Sequence, residues 1–259
     1  WRLFAHMWVS VMREYSKNYD WEDVPDAFGW ESDKVDNRPV RLVRQSIRSP
    51  ESPMPIDVSR MMKPRKLAEI AVFKGAIQKI SELSSLAALL RRRKLRTVVE
   101  IGTARGGTLW LWCQLAESDA HIVSIDIPGR DGLPSARVEH LRRHAIGSQK
   151  LDALRMDSQD QKTVANVREL LSGTEVDFLF IDADHSYAGV RRDFELYVPL
   201  VRSGGLVVFH DILPHPKFPS YQVHRFWSEI CESFRHREFL DHKDERGWGQ
   251  WGGIGVLHV

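Results

Sequence analysis

Five short, largely apolar runs in this chain each close within a residue or two of an acid, and helix-length segments separate them. They are "TVVEIG" (97–102), "HIVSID" (121–126), "KLDALRMD" (150–157), "VDFLFID" (176–182) and "GGLVVFHD" (204–211). Strands that alternate with helices of about 10 to 15 residues predict a parallel sheet, because parallel neighbours need a long crossover between them. The uninterrupted apolar runs predict a sheet covered on both faces. Two last β-like stretches, "REFLDH" (237–242) and "GGIGVLHV" (252–259), flank a Gly/Trp-rich turn and read as an antiparallel hairpin. The expected fold is α/β: a Rossmann-like, doubly wound, mostly parallel seven-stranded sheet with a C-terminal hairpin. Helices are expected over Lys66–Ile80, Glu82–Arg93, near Ala136–Ala145, after Asp157 to about Leu171, over Tyr187–Leu200 and over Tyr221–Phe234.

Residues 1–62 read differently from 63–259. Trp1, Phe4, Trp8, Val11, Met12 and Tyr15 recur at helical spacing, an amphipathic helix suited to packing on the main domain or to homo-oligomer formation. A polar stretch with scattered tryptophans and the proline-broken "SPESPMP" then form a linker. The 259 residues are 42% hydrophobic and 28% charged, with a net charge of +2. That balance gives no electrostatic footprint for nucleic acid. The densest basic run, "RRRK" (91–94), reads as the solvated end of a helix. Cys113 and Cys231 stand far apart without a Cys-x-x-Cys pattern, so neither a disulfide framework nor a zinc cluster is expected, and Cys113 reads as packed core. No apolar run reaches transmembrane length, no secretory signal is visible, and a cytoplasmic location is the expectation.

The first strand runs into "EIGTARGGT" (100–108) before a helix. Ligands of doubly wound sheets sit outside the carboxyl ends of the strands, and glycines there let a ligand approach the backbone. The spacing is neither the dinucleotide fingerprint G-x-G-x-x-G nor a P-loop. Gly102, Gly106 and Gly107 are therefore expected to leave room for some other small molecule.

Asp182 and Asp211 close two strands expected to be neighbours, which lie about 4.8 Å apart. Two carboxylates that close repel each other unless one is protonated or a cation lies between them. A divalent metal answers this economically: Mg²⁺ or Ca²⁺ for an oxygen set, Mn²⁺, Fe²⁺ or Zn²⁺ if His210 also coordinates. Asp184 and His185 enter the same crevice as candidate bases for an acceptor proton. Asp184 is the narrow preference, with His185 positioning the acceptor; His215, Trp248 and Trp251 are candidates for shaping the acceptor pocket.

The Glu-x-Gly-x-x-x-Gly turn, followed twenty residues past Gly106 by the strand-end Asp126, resembles motif I of the class I methyltransferases that use S-adenosylmethionine (SAM). "VVEIGTARGGTLWLW", "IVSIDIPG", "FLFIDADHSYAGVRRDFELYVPLVRSGGLVVFHDI" and "GAIQKISEL" together resemble the metal-dependent sugar O-methyltransferases grouped with the cephalosporin hydroxylase-like family. The resemblance implies SAM along Glu100, Gly102, Thr103, Gly106, Gly107 and Thr108. It puts Asp126, with Ile127, on the ribose hydroxyls and Asp157 and Ser158 on the adenine amino group, with Asp182 bordering the cofactor. It further implies a divalent cation, Mg²⁺ first with Mn²⁺ or Fe²⁺ as alternatives, at Asp182, His210 and Asp211. Better-known relatives carry two acids or Asp-Asn where this chain has His210-Asp211. The catalytic set is then Asp184, His185 and His210, and the substrate a small-molecule hydroxyl acceptor, sugar-bearing or polyhydroxylated. A metal-dependent hydroxylase and a non-catalytic SAM- or nucleotide-binding module are the rival readings.

Overall fold

The computed structural model describes residues 62–127, 138–243 and 249–259. The expected N-terminal helix, its role in self-association, the linker and Trp248 lie outside the described residues.

The chain first forms two helices, α1 (Pro64–Phe73) and α2 (Ile80–Leu90). Proline opens α1, where its fixed φ already suits the first turn. Leu67, Ala68 and Ala71 of α1 and Leu83, Leu86, Ala87 and Leu90 of α2 supply the buried stripes. The expected helix through Ile80 stops seven residues short, because Gly75 takes φ +106° and turns the chain. Residues 74–79 become a loop, and that loop reaches the site described below.

Then follow β1 (Thr97–Ile101), α3 (Gly107–Leu115), β2 (His121–Asp126), α4 (Val138–Arg142), β3 (Lys150–Arg155), α5 (Gln161–Leu171), β4 (Val176–Ile181), α6 (Tyr187–Tyr197) and β5 (Val201–His210). The chain ends with α7 (Val223–Ile230), β6 (Arg235–Phe239) and β7 (Ile254–His258). The sheet has seven strands in the order β3-β2-β1-β4-β5-β7-β6. The first five are parallel, and β7 runs antiparallel between β5 and β6, as the hairpin pattern predicted. Strand order reverses between β1 and β4, which opens a crevice at their carboxyl ends.

Alternate strand residues face opposite cores. Val98, Phe178, Phe180, Val208 and Val256 pack with α1, α2 and α3, while Val99, Leu179, Val207 and Phe209 pack with α5, α6 and α7. Both faces are covered, which accounts for the unbroken apolar strands. Cys113 and Cys231 are free and buried. The basic run is not simply a solvated helix end: Arg93 donates to the Gly204 carbonyl at 3.1 Å and lies 3.3 Å from His258 Nδ1, clasping α2 to the sheet. Among the described residues no helix is long and apolar enough to cross a membrane.

Candidate active site

The glycine turn between β1 and α3 is packed by the protein itself, contrary to the expectation that a ligand fills its spaces. A methyl group on Gly102, at φ +97°, would lie 2.0 Å from the Asp182 carbonyl oxygen, so this glycine lets β1 and β4 close together. One on Gly107 would lie 2.2 Å from Ala76 N and 2.4 Å from Ala71 O. One on Gly106 would lie 2.5 Å from the Leu141 side chain. The turn's polar side chains also point inward. Glu100 is fully buried, accepting from Trp112 Nε1 at 2.8 Å and from Ser124 Oγ at 2.6 Å, with Thr108 as a further partner. Thr103 Oγ1 lies 2.6 Å from Ser124 Oγ. Burial pushes the Glu100 carboxyl up to about 7, against the pull of these hydrogen bonds. Glu100, Thr103 and Thr108 are thus bracing residues beneath the crevice, and their side chains are not set to touch a cofactor.

Asp126 ends β2 at the crevice rim, partly exposed, as does the adjoining Ile127. Its Oδ2 accepts from Ala104 N–H at 2.7 Å and lies 3.9 Å from Arg155 Nη1, so the acid holds the turn. Beyond β3, Asp157 is exposed and its Oδ1 accepts from Gln159 N–H at 2.9 Å. Ser158 is corrected: it is buried, donating to Asp193 Oδ1 at 2.7 Å and accepting from Tyr197 through its carbonyl. It ties the loop to α6, and its hydroxyl is not offered to an adenine.

At the carboxyl ends of β4 and β5, two acids and two imidazoles converge. Asp182 Oδ1 lies 3.3 Å from both His185 Nε2 and His210 Nδ1. Asp211 Oδ2 lies 3.2 Å from His185 Nε2 and 3.6 Å from His210 Nδ1. Burial alone would raise both acids, but His210's charge beside them and the hydrogen bond from His185 hold both below the usual carboxylate range. Burial likewise opposes the two imidazolium charges and loses: hydrogen bonds to Asp182 and Asp211 hold His185 well above its ordinary value, and Asp211 and Asp182 raise His210 to about 9. Without a metal, the protein balances two negative charges with two positive ones.

The donor set also suits a divalent cation. Asp182, His185 and Asp211 each offer one ligand atom, all within 4.8 Å of one another. Asp211 Oδ1 is buried with no hydrogen-bond partner among the described residues, an acceptor left for a cation. The two acids are the oxygen pair for such a cation, and the imidazole that faces both of them is His185, where the sequence suggested His210 as a ligand. His210 is 3% exposed, and its Nε2 shares with buried Glu82 the space beside Gly252, so it braces the acids from behind.

Asp184 and His185 part company. Asp184 Oδ1 accepts from Ser186 N–H at 3.0 Å and its side chain packs against Gly189, so it shapes the start of α6. His185 turns to the acids and stacks on Tyr221, ring centroids 4.2 Å apart and 8° from parallel. Phe218 and Tyr221 stack at 5.2 Å, and His215 lies 4.5 Å from Phe218 and 6.1 Å from Trp251. This aromatic wall includes His215 and Trp251, together with Phe218 and Tyr221, which were not foreseen. Gln78 was also missed: from the loop after α1 its Nε2 donates to Asp182 Oδ2 at 2.6 Å. Buried Lys79 anchors that loop by donating to the Asp241 carbonyl at 2.6 Å, with its ammonium 5.2 Å from the Trp251 ring centre.

Comparison with known proteins agrees with this geometry. A family model described as a methyltransferase domain matches residues 99–212, from β1 to just past Asp211. An uncharacterized protein of Acanthamoeba polyphaga mimivirus is 34% identical over 122 residues, 44% of this chain and 51% of that protein. An uncharacterized protein of Sinorhizobium fredii is 25% identical over 169 residues, 63% of this chain and 18% of that one. The chain thus spans about half of the first relative and under a fifth of the second. Among solved structures, the O-methyltransferase TomG from Streptomyces achromogenes, in complex with SAM, superposes with a TM-score of 0.51 at 17% identity, covering 76% of this chain and 90% of that one. The MycE methyltransferase of the mycinamycin pathway, in complex with Mg, S-adenosylhomocysteine and mycinamycin VI, gives 0.52 at 16% identity, covering 76% and 54%. These likenesses establish the fold. Topology, glycine turn and strand-end acid agree with that match: residues 99–212 resemble a methyltransferase domain, on a fold shared with O-methyltransferases solved in complex with SAM or S-adenosylhomocysteine.

Proposed function

We propose that the chain is an O-methyltransferase that moves the SAM methyl group to a hydroxyl of a sugar-bearing or polyhydroxylated small molecule, assisted by a divalent cation. The observation that carries this reading is the Asp182–His185–Asp211 cluster at the switch point, between the cofactor turn and an aromatic wall. The MycE structure, in complex with Mg, S-adenosylhomocysteine and mycinamycin VI, supports it as an analogue.

Asp126 accepts the ribose hydroxyls and fixes the adenosine end. Asp182 and Asp211 would hold the cation, in keeping with Mg²⁺ sites built from one or two carboxylates plus substrate oxygens. Bound there, the cation would supply Lewis acidity that lowers the pKa of the acceptor hydroxyl. Held by Asp182 and Asp211, the cation would also weaken those acids' hold on the His185 proton. His185, stacked on Tyr221 at the open side of the cluster, then takes the acceptor proton in place of the Asp184 favoured from sequence. Tyr221, Phe218 and Trp251 offer ring faces to the acceptor skeleton. The remaining task is alignment of oxygen and methyl, worth up to roughly 7–11 kcal/mol when geometry is near attack.

The test is isotope-labelled methyl transfer from SAM to a panel of glycosides and polyols, with metal analysis of each variant. His185→Ala is expected to keep bound metal and S-adenosylhomocysteine affinity while losing turnover by about 10²-fold or more. Undiminished transfer in excess chelator would refute the role of the cation, and a His185→Ala enzyme that turns over normally would refute the base.

A further inference from the structure

A second cluster of metal-binding side chains stands at the opposite end of the sheet. Cys231, Glu232 and His236 each present one ligand atom, and the three atoms lie within 4.8 Å of one another. Cys231 and Glu232 sit in the 3₁₀ turn Cys231–Ser233 that ends α7, and His236 is the second residue of β6. The register pairs Arg235 with His258 and Phe239 with Ile254, while His210 also pairs with Ile254. The crevice is therefore at the Phe239 end of β6, and this cluster is at the other end, on the outer edge strand.

Three features point to a ligand. The donors are a thiol, an imidazole and a carboxylate, a borderline-soft set that suits Zn²⁺ and not Mg²⁺. His236 Nδ1 lies 3.2 Å from the Phe234 carbonyl oxygen. A ring N–H given to a backbone carbonyl fixes the tautomer and leaves the other nitrogen's lone pair for a metal, the usual support for a coordinating histidine. Glu238, two residues on and so on the same side of β6 as His236, adds its charge to that of Glu232 around the thiol. Among the described residues no lysine or arginine forms a salt bridge with Glu232. The buried sulfur faces negative charge on its open side, an arrangement that a dication would balance.

We propose that Cys231, Glu232 and His236 form a zinc site with three protein ligands and one position open to solvent, joining the end of α7 to the edge strand β6. The site is separate from the methyl-transfer crevice and does not depend on that assignment.

Cobalt titration of the full chain tests it. Co²⁺ is expected to give a thiolate-to-metal charge-transfer band that Zn²⁺ displaces and that survives in an Asp182→Asn/Asp211→Asn background. Cys231→Ser should abolish the band, and Glu232→Gln should weaken binding by about tenfold or more. In the Asp182→Asn/Asp211→Asn background Zn²⁺ should raise the melting temperature, and adding Cys231→Ser to that background should remove the rise. If Cys231→Ser does not fold, His236→Ala at an exposed position replaces it. Absence of a charge-transfer band in the parent, or a band that persists in Cys231→Ser or His236→Ala, would overturn the proposal.

Discussion

Gly107→Ala separates two reasons for a glycine-rich turn. A cofactor that needs the space predicts lost binding in a protein of normal stability. Packing predicts a loss of stability before any ligand is added. The added methyl would lie 2.2 Å from Ala76 N and 2.4 Å from Ala71 O, where ordinary contact begins at 3.4 Å. Both obstacles are backbone, so α3 must separate from α1 and its following loop by about 1 Å. Overpacking of this kind costs about 1–3 kcal/mol. The gain in helix propensity from Gly to Ala offsets at most about 1 kcal/mol of it. At about 2–4 °C per kcal/mol for a domain of this size, the melting temperature should fall by several degrees. Thermal unfolding followed by circular dichroism, without cofactor, reads this directly. Calorimetric titration with S-adenosylhomocysteine then reports any secondary loss, transmitted through the loop that carries Gln78 to Asp182. A Gly107→Ala protein that melts like the parent yet fails to bind S-adenosylhomocysteine would refute the packing account.

Asp126→Ala should weaken S-adenosylhomocysteine binding by roughly 1.5–3 kcal/mol, as for a lost charged acceptor, and should also lower stability slightly by orphaning the Ala104 N–H; unchanged affinity in the folded variant would remove the ribose assignment. Glu100 supplies a pH dependence. Its folded carboxyl is raised by burial to about 7 from an ordinary 4.5, so the folded state binds the proton more tightly than the unfolded one. The stabilisation is present below the unfolded pKa and is lost as pH rises through about 7, up to about 3 kcal/mol in all. Urea unfolding across that interval should show falling stability in the parent and a flatter profile in Glu100→Gln; equal slopes would contradict the assignment.

The strands were legible because apolar runs in a parallel sheet carry their own signature, and the hairpin because two short β-like stretches flank glycines. The break after α1 was harder to see: the apolar period continues past Phe73, and only the positive φ of Gly75 stops the helix. Asp126, Asp182 and Asp211 could be placed because strand ends in such a sheet share one rim. What the sequence could not reveal is direction. Thr103, Thr108 and Ser158 lie beside the crevice in sequence and turn away from it in space, each drawn by a buried carboxylate or its hydrogen-bonded partner. The choice between Asp184 and His185 carried a readable hint, since an acid two residues before a helix-starting serine commonly bonds that serine's N–H. Gln78 carried none: an amide 104 residues away from Asp182 has no local pattern to mark it.

Asp211 has a backbone φ of +59°, in the left-handed region where glycine is at ease and other residues sit at a cost of order 1 kcal/mol. Folding stability and chemistry therefore want different residues at this position. Glycine there would relax the backbone, while removing the carboxylate that faces His185.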